Sequence, residues 1–595
     1  MAKTIPTRSE IDTKYFWHLN DIYASKQAWL ADFEKLKEDG KKLAAYQGKV
    51  AKETKAAILL FFQARELLSR LYAYAHMQKD TDGGNDDYRA TYDMIASQYV
   101  AFESAAAFLT PELIAMPEAD FDALTADPAM KEYSRFLAAL KRQKPHILSA
   151  SEERILAMAG EMAEAPNQTY TAFTEVDMAF PDVHNDQGEV VPFSEATYSP
   201  FIHSKNRAVR KEAFETMFET YGKYGTTLST TYAASVKKDL FYATLRNFPS
   251  CVEAGLFENE IPLNVYDNLI SAIHSSLPIL NDYLAVRKET LKLDELHMYD
   301  LYCPIIDSFD MDMPYEKAYE VVVAGMHPMG EEYVSHLNEA FTDGWIDVFP
   351  NKGKHNGAYS FGVYNTHPYV LLNHNDNLNG AMTIAHEMGH AMHSFYSNAN
   401  QPFAIADYAI FVAEVASTCN EIIVMKHLTE TYKDNKAALA FLYNHLLEQF
   451  RTTVFRQTMF AEFERISHKM AEEGTPLTRE SLSKEYYELN KRYYGSVCDV
   501  DELIADEWLR IPHFYRAFYV YQYATGFSAA VFLANRILTE GESAVKDYYK
   551  FLSAGSSVPP IEALKLAGVD MSKPEPVLSA MKVFKETLEQ FKALI

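Results

Sequence analysis

The sequence predicts a mainly α-helical protein with more than one lobe, and three observations support this. Leu, Ala, Phe and Tyr recur at three- and four-residue spacing through most of the chain. At 595 residues the chain exceeds what one compact core holds, so two or three lobes are expected. Departures from the helical period are few: an alternating stretch near 170–193, and short apolar runs between 345 and 373, just ahead of an H-E-x-x-H sequence.

Helical periodicity covers 25–46, 52–79, 86–108, 129–142 and 151–164. Asp82-Gly83-Gly84-Asn85, Pro111 and Lys144-Pro145 punctuate it. Thr174 to Phe180 then alternates, His184-Asn185-Asp186-Gln187-Gly188 reads as a turn, and Glu189 to Phe193 follows as a second strand. This hairpin predicts a boundary between an N-terminal helical lobe, 1–195, and a second region, 196–595, that carries the H-E-x-x-H sequence. Helices resume over 204–246 and 263–291, and 296–347 mixes short strands with one helix. Trp345–Phe349 leads into the loop Asn351–Gly357, after which Ala358–Tyr364 and Pro368–Asn373 read as two short strands of a small β-sheet. Helices dominate again from 380 to the end.

The formal net charge of -26 disfavours nucleic acid and anionic membrane surfaces, both of which need a basic footprint. No apolar run approaches the roughly 20 residues of a membrane span, and the N-terminal stretch has no apolar signal-peptide core. Cys251, Cys303, Cys419 and Cys498 show no C-x-x-C spacing, so free thiols in a reducing compartment are expected. These features predict a soluble, cytoplasmic protein. They leave its oligomeric state open.

The chemistry centres on Thr383-Ile384-Ala385-His386-Glu387-Met388-Gly389-His390. Residues four apart share one face of a helix, so His386 and His390 can hold one metal ion, with Glu387 beside it. Ala381, Met382, Ile384, Ala385, Met388 and Ala391 make this helix apolar, so two His and a Glu within it need partners. Zinc suits imidazole nitrogen and takes a third protein ligand when one position is kept for water. A metzincin would carry Gly at 393 and His at 396, whereas this chain has His393 and Tyr396. His393 is too near His390 on one helix for three ligands to converge, which favours a packing or supporting role. Asp407, Glu414 and Glu421 lie seven apart on the next amphipathic run, Ile405 to Leu428, and any of them could reach the metal. Glu414, among Val412, Ala413, Val415 and Ala416, is the most buried by context and most in need of a cation. Glu421 then suits the orientation of a ligand His, and Asp407 an exposed position.

Two further stretches fit peptide hydrolysis. The segment Arg510 to Gly526 is dense in His and Tyr, and both are suitable donors to a tetrahedral oxyanion. Gly357-Ala358-Tyr359-Ser360 opens a predicted strand whose small residues would let a substrate backbone approach as an added strand.

Several of these stretches together resemble oligoendopeptidase F, within the thimet-oligopeptidase superfamily of zinc metallopeptidases. They are Tyr15-Phe16-Trp17-His18-Leu19-Asn20-Asp21-Ile22-Tyr23, Gly353-Lys354, Gly357 to Ser360, His386 to Ser394, Val412 to Thr418 and His513 to Gly526. The motifs span almost the whole chain in the right order, with Ser360 where relatives often have Cys. The resemblance implies a two-lobed helical ellipsoid with a deep central channel, and one zinc ion per chain held by His386, His390 and Glu414. It implies Glu387 as general base, and His513 with one or more of Tyr515, Tyr519 and Tyr521 as carbonyl-binding groups. It also implies that short, unstructured peptides are the substrates. The reading is metal-assisted amide hydrolysis, with Glu387 moving the proton from water to the leaving amine. One alternative is a dipeptidyl carboxypeptidase, for which Arg510 or Arg516 would capture a substrate carboxylate. The other is a non-catalytic peptide-binding protein with a structural metal.

Overall fold

Residues 5–306, 309 and 311–595 are described by the structure, a computed structural model. Helices dominate, and α1 (Lys26–Ala44), α2 (Val50–Thr81), α3 (Asp86–Ala106), α4 (Leu263–Thr290), α5 (Leu378–Asn400), α6 (Ile410–Thr431) and α7 (Tyr521–Glu540) are among the longest. The strands are short: β1 (Val183–His184), β2 (Val190–Val191), β3 (Leu296–His297), β4 (Ile346–Asp347), β5 (Tyr359–Phe361), β6 (Tyr369–Leu371) and β7 (Cys498–Asp499). They form the antiparallel pair β1–β2, the parallel pair β3–β7 and a three-stranded sheet in the order β4-β6-β5. The mainly helical class expected from the periodicity is therefore what the chain adopts.

The Asp82–Asn85 turn works as its residues suggest. The Asn85 side chain accepts from the amides of Asp87 and Tyr88, at 3.0 and 3.2 Å, and starts α3. The alternation from Thr174 to Phe180 misleads. Residues Phe173–Asp177 continue the preceding helix as a wider π turn, closed by the Met178 amide on the Phe173 carbonyl at 2.8 Å. The Thr174 hydroxyl bonds back to the Tyr170 carbonyl at 2.9 Å, and Phe173 packs edge-on against Tyr224, while Val176 is exposed. The hairpin itself forms a few residues later, with Val183 opposite Val191.

The chain divides into two compact units, each assembled from three segments. The first comprises Met1–Pro145, Asp310–Leu428 and Leu533–Val569; the second comprises His146–Phe309, Thr429–Phe532 and Asp570–Ile595. The hairpin near 195 lies inside the second unit.

In the first unit, a core of Trp29, Leu36, Leu68, Leu71 and Phe102 joins α1, α2 and α3, and it extends to Tyr369 and Leu371 of β6. The fully buried Trp29 indole donates to the Leu71 carbonyl at 3.0 Å, so the largest core side chain leaves no unpaired polar atom. A buried ammonium pins the sheet. Lys354 Nζ lies 2.7 Å from the Asp347 carboxylate and donates to the carbonyls of Asp347 and Phe349 at 3.1 and 2.8 Å. Burial outweighs the attraction of Asp347 and lowers the Lys354 pKa. Arg8 also binds Asp347, at 2.6 Å. The loop from Asn351 to Gly357 is tied to the end of α2 and the turn after it: Asn351 Nδ2 donates to Thr81, the His355 amide to Asp80, and the Gly83 amide to Gly353.

The second unit is helical around guanidinium–carboxylate pairs. Arg287 and Arg451 share Glu448, at 2.5 and 2.7 Å, while Arg456 pairs with Glu507 at 2.7 Å. Tyr486 donates to Glu507 at 2.5 Å, and Tyr283 donates to Glu448.

Lys354→Met is expected to destabilise the protein by roughly 3–5 kcal/mol, because it leaves a buried carboxylate and two carbonyls short of a donor. Urea unfolding followed by circular dichroism measures it. A loss below ~1 kcal/mol would show that Arg8 alone compensates Asp347.

Candidate active site

The centre of the first unit's chemistry is α5. Asn377 caps it by accepting from the Gly380 amide at 3.0 Å, and Ala381, Met382, Ile384, Ala385, Met388, Ala391 and Met392 bury its apolar face. Four-residue spacing brings the His386 and His390 rings together, nearly perpendicular at 82°, with their Nε2 atoms 3.2 Å apart. The helix α6 crosses α5 in backbone contact. A Cβ on Gly389 would lie 2.5 Å from Ser417 Cα and 2.6 Å from the Ala416 carbonyl oxygen. Only glycine leaves room for this approach, which delivers Glu414, one turn before Ser417, to the two histidines.

Glu414 Oε2 stands 3.4 Å from His386 Nε2 and 3.6 Å from His390 Nε2, and it accepts from the Ser417 hydroxyl at 3.3 Å. Three ligands at zinc bond lengths around a tetrahedral centre lie roughly 3.3–3.6 Å apart. The observed triangle of 3.2, 3.4 and 3.6 Å matches that spacing, so these residues fit a single small divalent cation. On its other side, His386 presents Nδ1 to Glu421 at 2.6 Å. With its Nδ1 proton held there, the ring offers an unprotonated Nε2 to a cation.

The same carboxylates favour positive charge at the imidazoles, whether a proton or a metal ion carries it. Burial alone would lower the His386 pKa, but hydrogen bonds to Glu414 and Glu421 outweigh it and push it up to about 10. Burial would raise Glu414, yet the two imidazoles hold it well below the usual carboxylate range. Glu387 is only 7% exposed, and burial raises its carboxyl. A base of raised pKa is better matched to proton transfer near neutrality.

Several sequence expectations are refined here. Burial is the wrong reason for preferring Glu414, since its side chain is 43% exposed against 15% for Glu421. What distinguishes the two is the imidazole atom each meets. The helix carrying them starts at Ile410, after a break, so Asp407 is not on it; Asp407 is exposed and accepts from the Tyr408 amide. His393 is a packing residue, fully buried and stacked 3.7 Å from the Tyr408 ring, and burial drives its pKa down to about 3.

Gly357 and Ala358 lead into β5, which pairs with β6 alone and so is an edge strand. Gly357 adopts a φ of +83°, a left-handed conformation that glycine takes without strain. The Asn373 amide donates to the carbonyls of His355 and Gly357 at 2.9 and 2.7 Å, which fixes the entry to the strand. After β5, Gly362 passes so close to Ser394 of α5 that a Cβ there would lie 2.7 Å from the Ser394 Cβ. The Tyr359 side chain is committed elsewhere, its hydroxyl donating to Asp80 at 3.0 Å. The strand therefore offers a ligand its main chain rather than this phenol.

The second unit carries His513, on the short turn Pro512–Tyr515. Tyr515 is buried and stacks 4.4 Å from Tyr170, and Tyr521 is buried 5.1 Å from the Tyr266 ring. Burial pushes both phenols up. These two belong to the packing. The companions of His513 are Tyr519, with parallel rings 6.4 Å apart, and Tyr523, whose hydroxyl lies 3.4 Å from His513 Nε2. Tyr523 lies in the His- and Tyr-rich stretch singled out by the sequence but not among the three tyrosines named there as carbonyl-binding groups, although it sits four residues beyond Tyr519. Desolvation, then the charge of Arg516, lower the His513 pKa, although its ring still reaches solvent. Between the two Tyr-bearing turns, Phe518 takes a left-handed φ of 56°. Its amide donates to the fully buried Glu464 at 3.1 Å. Arg510 is bound to Glu195, and Arg516 lies over the Tyr519 ring at 4.2 Å.

Residues 201–583 match the model of "Peptidase family M3" and residues 112–180 that of "Oligopeptidase F". The chain is 44% identical to oligopeptidase PepF of Bacillus subtilis (strain 168), covering 100% of this chain and 89% of that one. Its structure is similar to that of a Chlamydophila abortus protein described as a peptidase, with a TM-score of 0.94 and 33% identity over 100% of both chains. It is also similar to oligoendopeptidase-F from Enterococcus faecium, with a TM-score of 0.73 and 34% identity over 96% of this chain and 99% of that one.

Glu414→Ala is expected to abolish stoichiometric metal retention on gel filtration. Glu421→Ala should keep the ion at saturating metal but bind it about 10–100-fold more weakly. Metal analysis by mass spectrometry reads both, and retention in the first variant with loss in the second would reverse the assignment.

Proposed function

The chain belongs to peptidase family M3, alongside the oligopeptidases F, and is an oligopeptide-hydrolysing metalloendopeptidase; from that premise we propose that it uses one zinc ion, held by His386, His390 and Glu414, to cut short unstructured peptides. The observation that carries this reading is the triangle of Nε2, Nε2 and Oε2 atoms, whose edges match a tetrahedral site.

A bound zinc ion supplies Lewis acidity and lowers the pKa of water. Glu387 then acts as general base, accepting a proton from water and passing it to the leaving amine. Burial raises the Glu387 carboxyl, which suits it to accept that proton. Glu421 holds the proton on His386 Nδ1 and orients the ring. The peptide lies extended along the edge of β5, read through main-chain hydrogen bonds, with Gly357 and Ala358 giving close access. His513 with Tyr519 and Tyr523 donates to the developing oxyanion.

The exopeptidase alternative needs a cation for a substrate carboxylate: Arg510 spends two of its three nitrogens on Glu195, and Arg516, over the Tyr519 ring at 4.2 Å, is the candidate that cutting of a doubly blocked peptide would exclude. A purely structural metal has no use for the buried Glu387. No helix among the described residues is long and apolar enough to cross a membrane. The four cysteines are free and buried, which supports a reducing, cytoplasmic compartment.

A quenched peptide blocked at both ends should be cut, and a chelator should stop the reaction until zinc is restored. Glu387→Gln should retain metal and lose on the order of 10²–10⁴ in kcat; full activity in that variant would remove the general base. Tyr523→Phe should reduce kcat by on the order of 10²-fold, while Tyr515→Phe changes kcat little. The reverse order in steady-state kinetics would return the oxyanion role to the buried phenol.

A further inference from the structure

A second polar site lies wholly within the second unit. A cavity of about 180 Å³ is lined by Arg451, Arg456, Arg510, Tyr302, His203 and Glu507, among others. That is close to the volume of an engineered cavity, roughly 150 Å³, that takes up benzene, so it suits a ligand of a few heavy atoms. Three guanidiniums facing one small cavity are unusual in a chain whose formal net charge is -26.

The pairing around the cavity leaves positive charge over. Arg287 and Arg451, each with a side chain only 1% exposed, share the single carboxylate of Glu448. Arg456 takes Glu507 and Arg510 takes Glu195. Four guanidiniums therefore stand against three carboxylates. An uncompensated buried charge is strongly unfavourable, and a bound anion would offset it. The donors are also available. Among the described residues, Arg451 Nη1, Arg456 Nε and Arg510 Nη1 have no hydrogen-bond acceptor, because the pairs with Glu448, Glu507 and Glu195 use the other guanidinium nitrogens. Tyr302 and Tyr198 lie under the Arg451 and Arg510 guanidiniums, at 4.6 and 5.0 Å, and hold their planes.

We propose that this cavity is a binding site for a small oxyanion, a phosphate-class ion or a short carboxylate, held by Arg451, Arg456 and Arg510. A guanidinium matches both geometries. A nucleotide or peptide exceeds the space, since sites for drug-sized ligands run to roughly 300–1,000 Å³. The inference does not depend on the peptidase reading, because no group of the metal centre takes part.

The test is calorimetric titration of the full-length, metal-loaded protein with sodium phosphate and, separately, sodium acetate, at ionic strength held constant with sodium chloride. Thermal unfolding is followed in the same buffers. A saturable one-to-one isotherm and a raised unfolding temperature, neither reproduced by chloride, are expected. The anion that gives them identifies the source. Arg451→Met should weaken binding about tenfold or more and still fold, because Glu448 keeps Arg287. Arg510→Met provides a second test, because Glu195, 38% exposed, can turn to water. An anion captured at the metal centre would bind both variants as it binds the parent. That outcome, or a phosphate and acetate response no larger than that of chloride, overturns the site.

Discussion

The candidate centre depends on one backbone contact, the crossing of α5 and α6 at Gly389. Two histidines four apart can face the same way on any helix, but a third ligand must come from elsewhere. The distance between two packed helices is normally 8–10 Å. At that spacing a glutamate one turn away must stretch to reach an imidazole. The missing side chain at Gly389 lets Ser417 sit against α5 itself, and Glu414 then meets both Nε2 atoms within 3.6 Å. The same crossing sets Asn420 to donate to the Ala385 carbonyl at 3.2 Å, while its own oxygen accepts from Tyr333 at 2.9 Å. Glu421 reaches the far side of the His386 ring from the next position. One glycine thus governs both the ligand geometry and its polar support.

The sheet beside this crossing is held by different means. Its strands are only two or three residues long, too short to hold by ladder bonds alone. Lys354 fastens the loop between β4 and β5 with three donated bonds from a fully buried ammonium, and Asn373 fixes the carbonyls just before β5. In the second unit the comparable device is Glu464, which accepts the amide of Phe518 where the backbone turns left-handed between Tyr515 and Tyr519.

Periodicity and spacing made the helical class, the H-E-x-x-H face and the loop before β5 legible in the sequence, because each depends on local chemistry. The proposed third ligand was legible from the residues only as a set of three carboxylates. Counting by sevens places residues on a face but assumes an unbroken helix, and the break before Ile410 removes Asp407 from that set. Neighbouring apolar residues suggested that Glu414 was buried, but they occupy the other sides of α6 and leave its own side partly open. Among the tyrosines after His513, sequence spacing does not settle which one neighbours it, for a similar reason. The left-handed Phe518 breaks the phase between the turn of Tyr515 and the helix of Tyr523, so residues close in sequence, such as Tyr515 and Tyr521, point into the core. Tyr523, ten positions from His513, is its neighbour instead. The alternation at Thr174–Phe180 misled because most of this stretch ends a helix in a π turn, and its apolar Val176 is exposed rather than packed on a strand face.

The outer edge of the half-buried strand β5 bears on selectivity. Recognition through main-chain bonds asks for a conformation rather than a composition. On the proposed reading, any peptide able to straighten over a few residues qualifies, largely irrespective of its side chains. On the same reading, strands inside a folded protein would not qualify, because they have already spent their amides on one another. Proline should be the residue least welcome along that edge, since it brings no amide proton to the ladder.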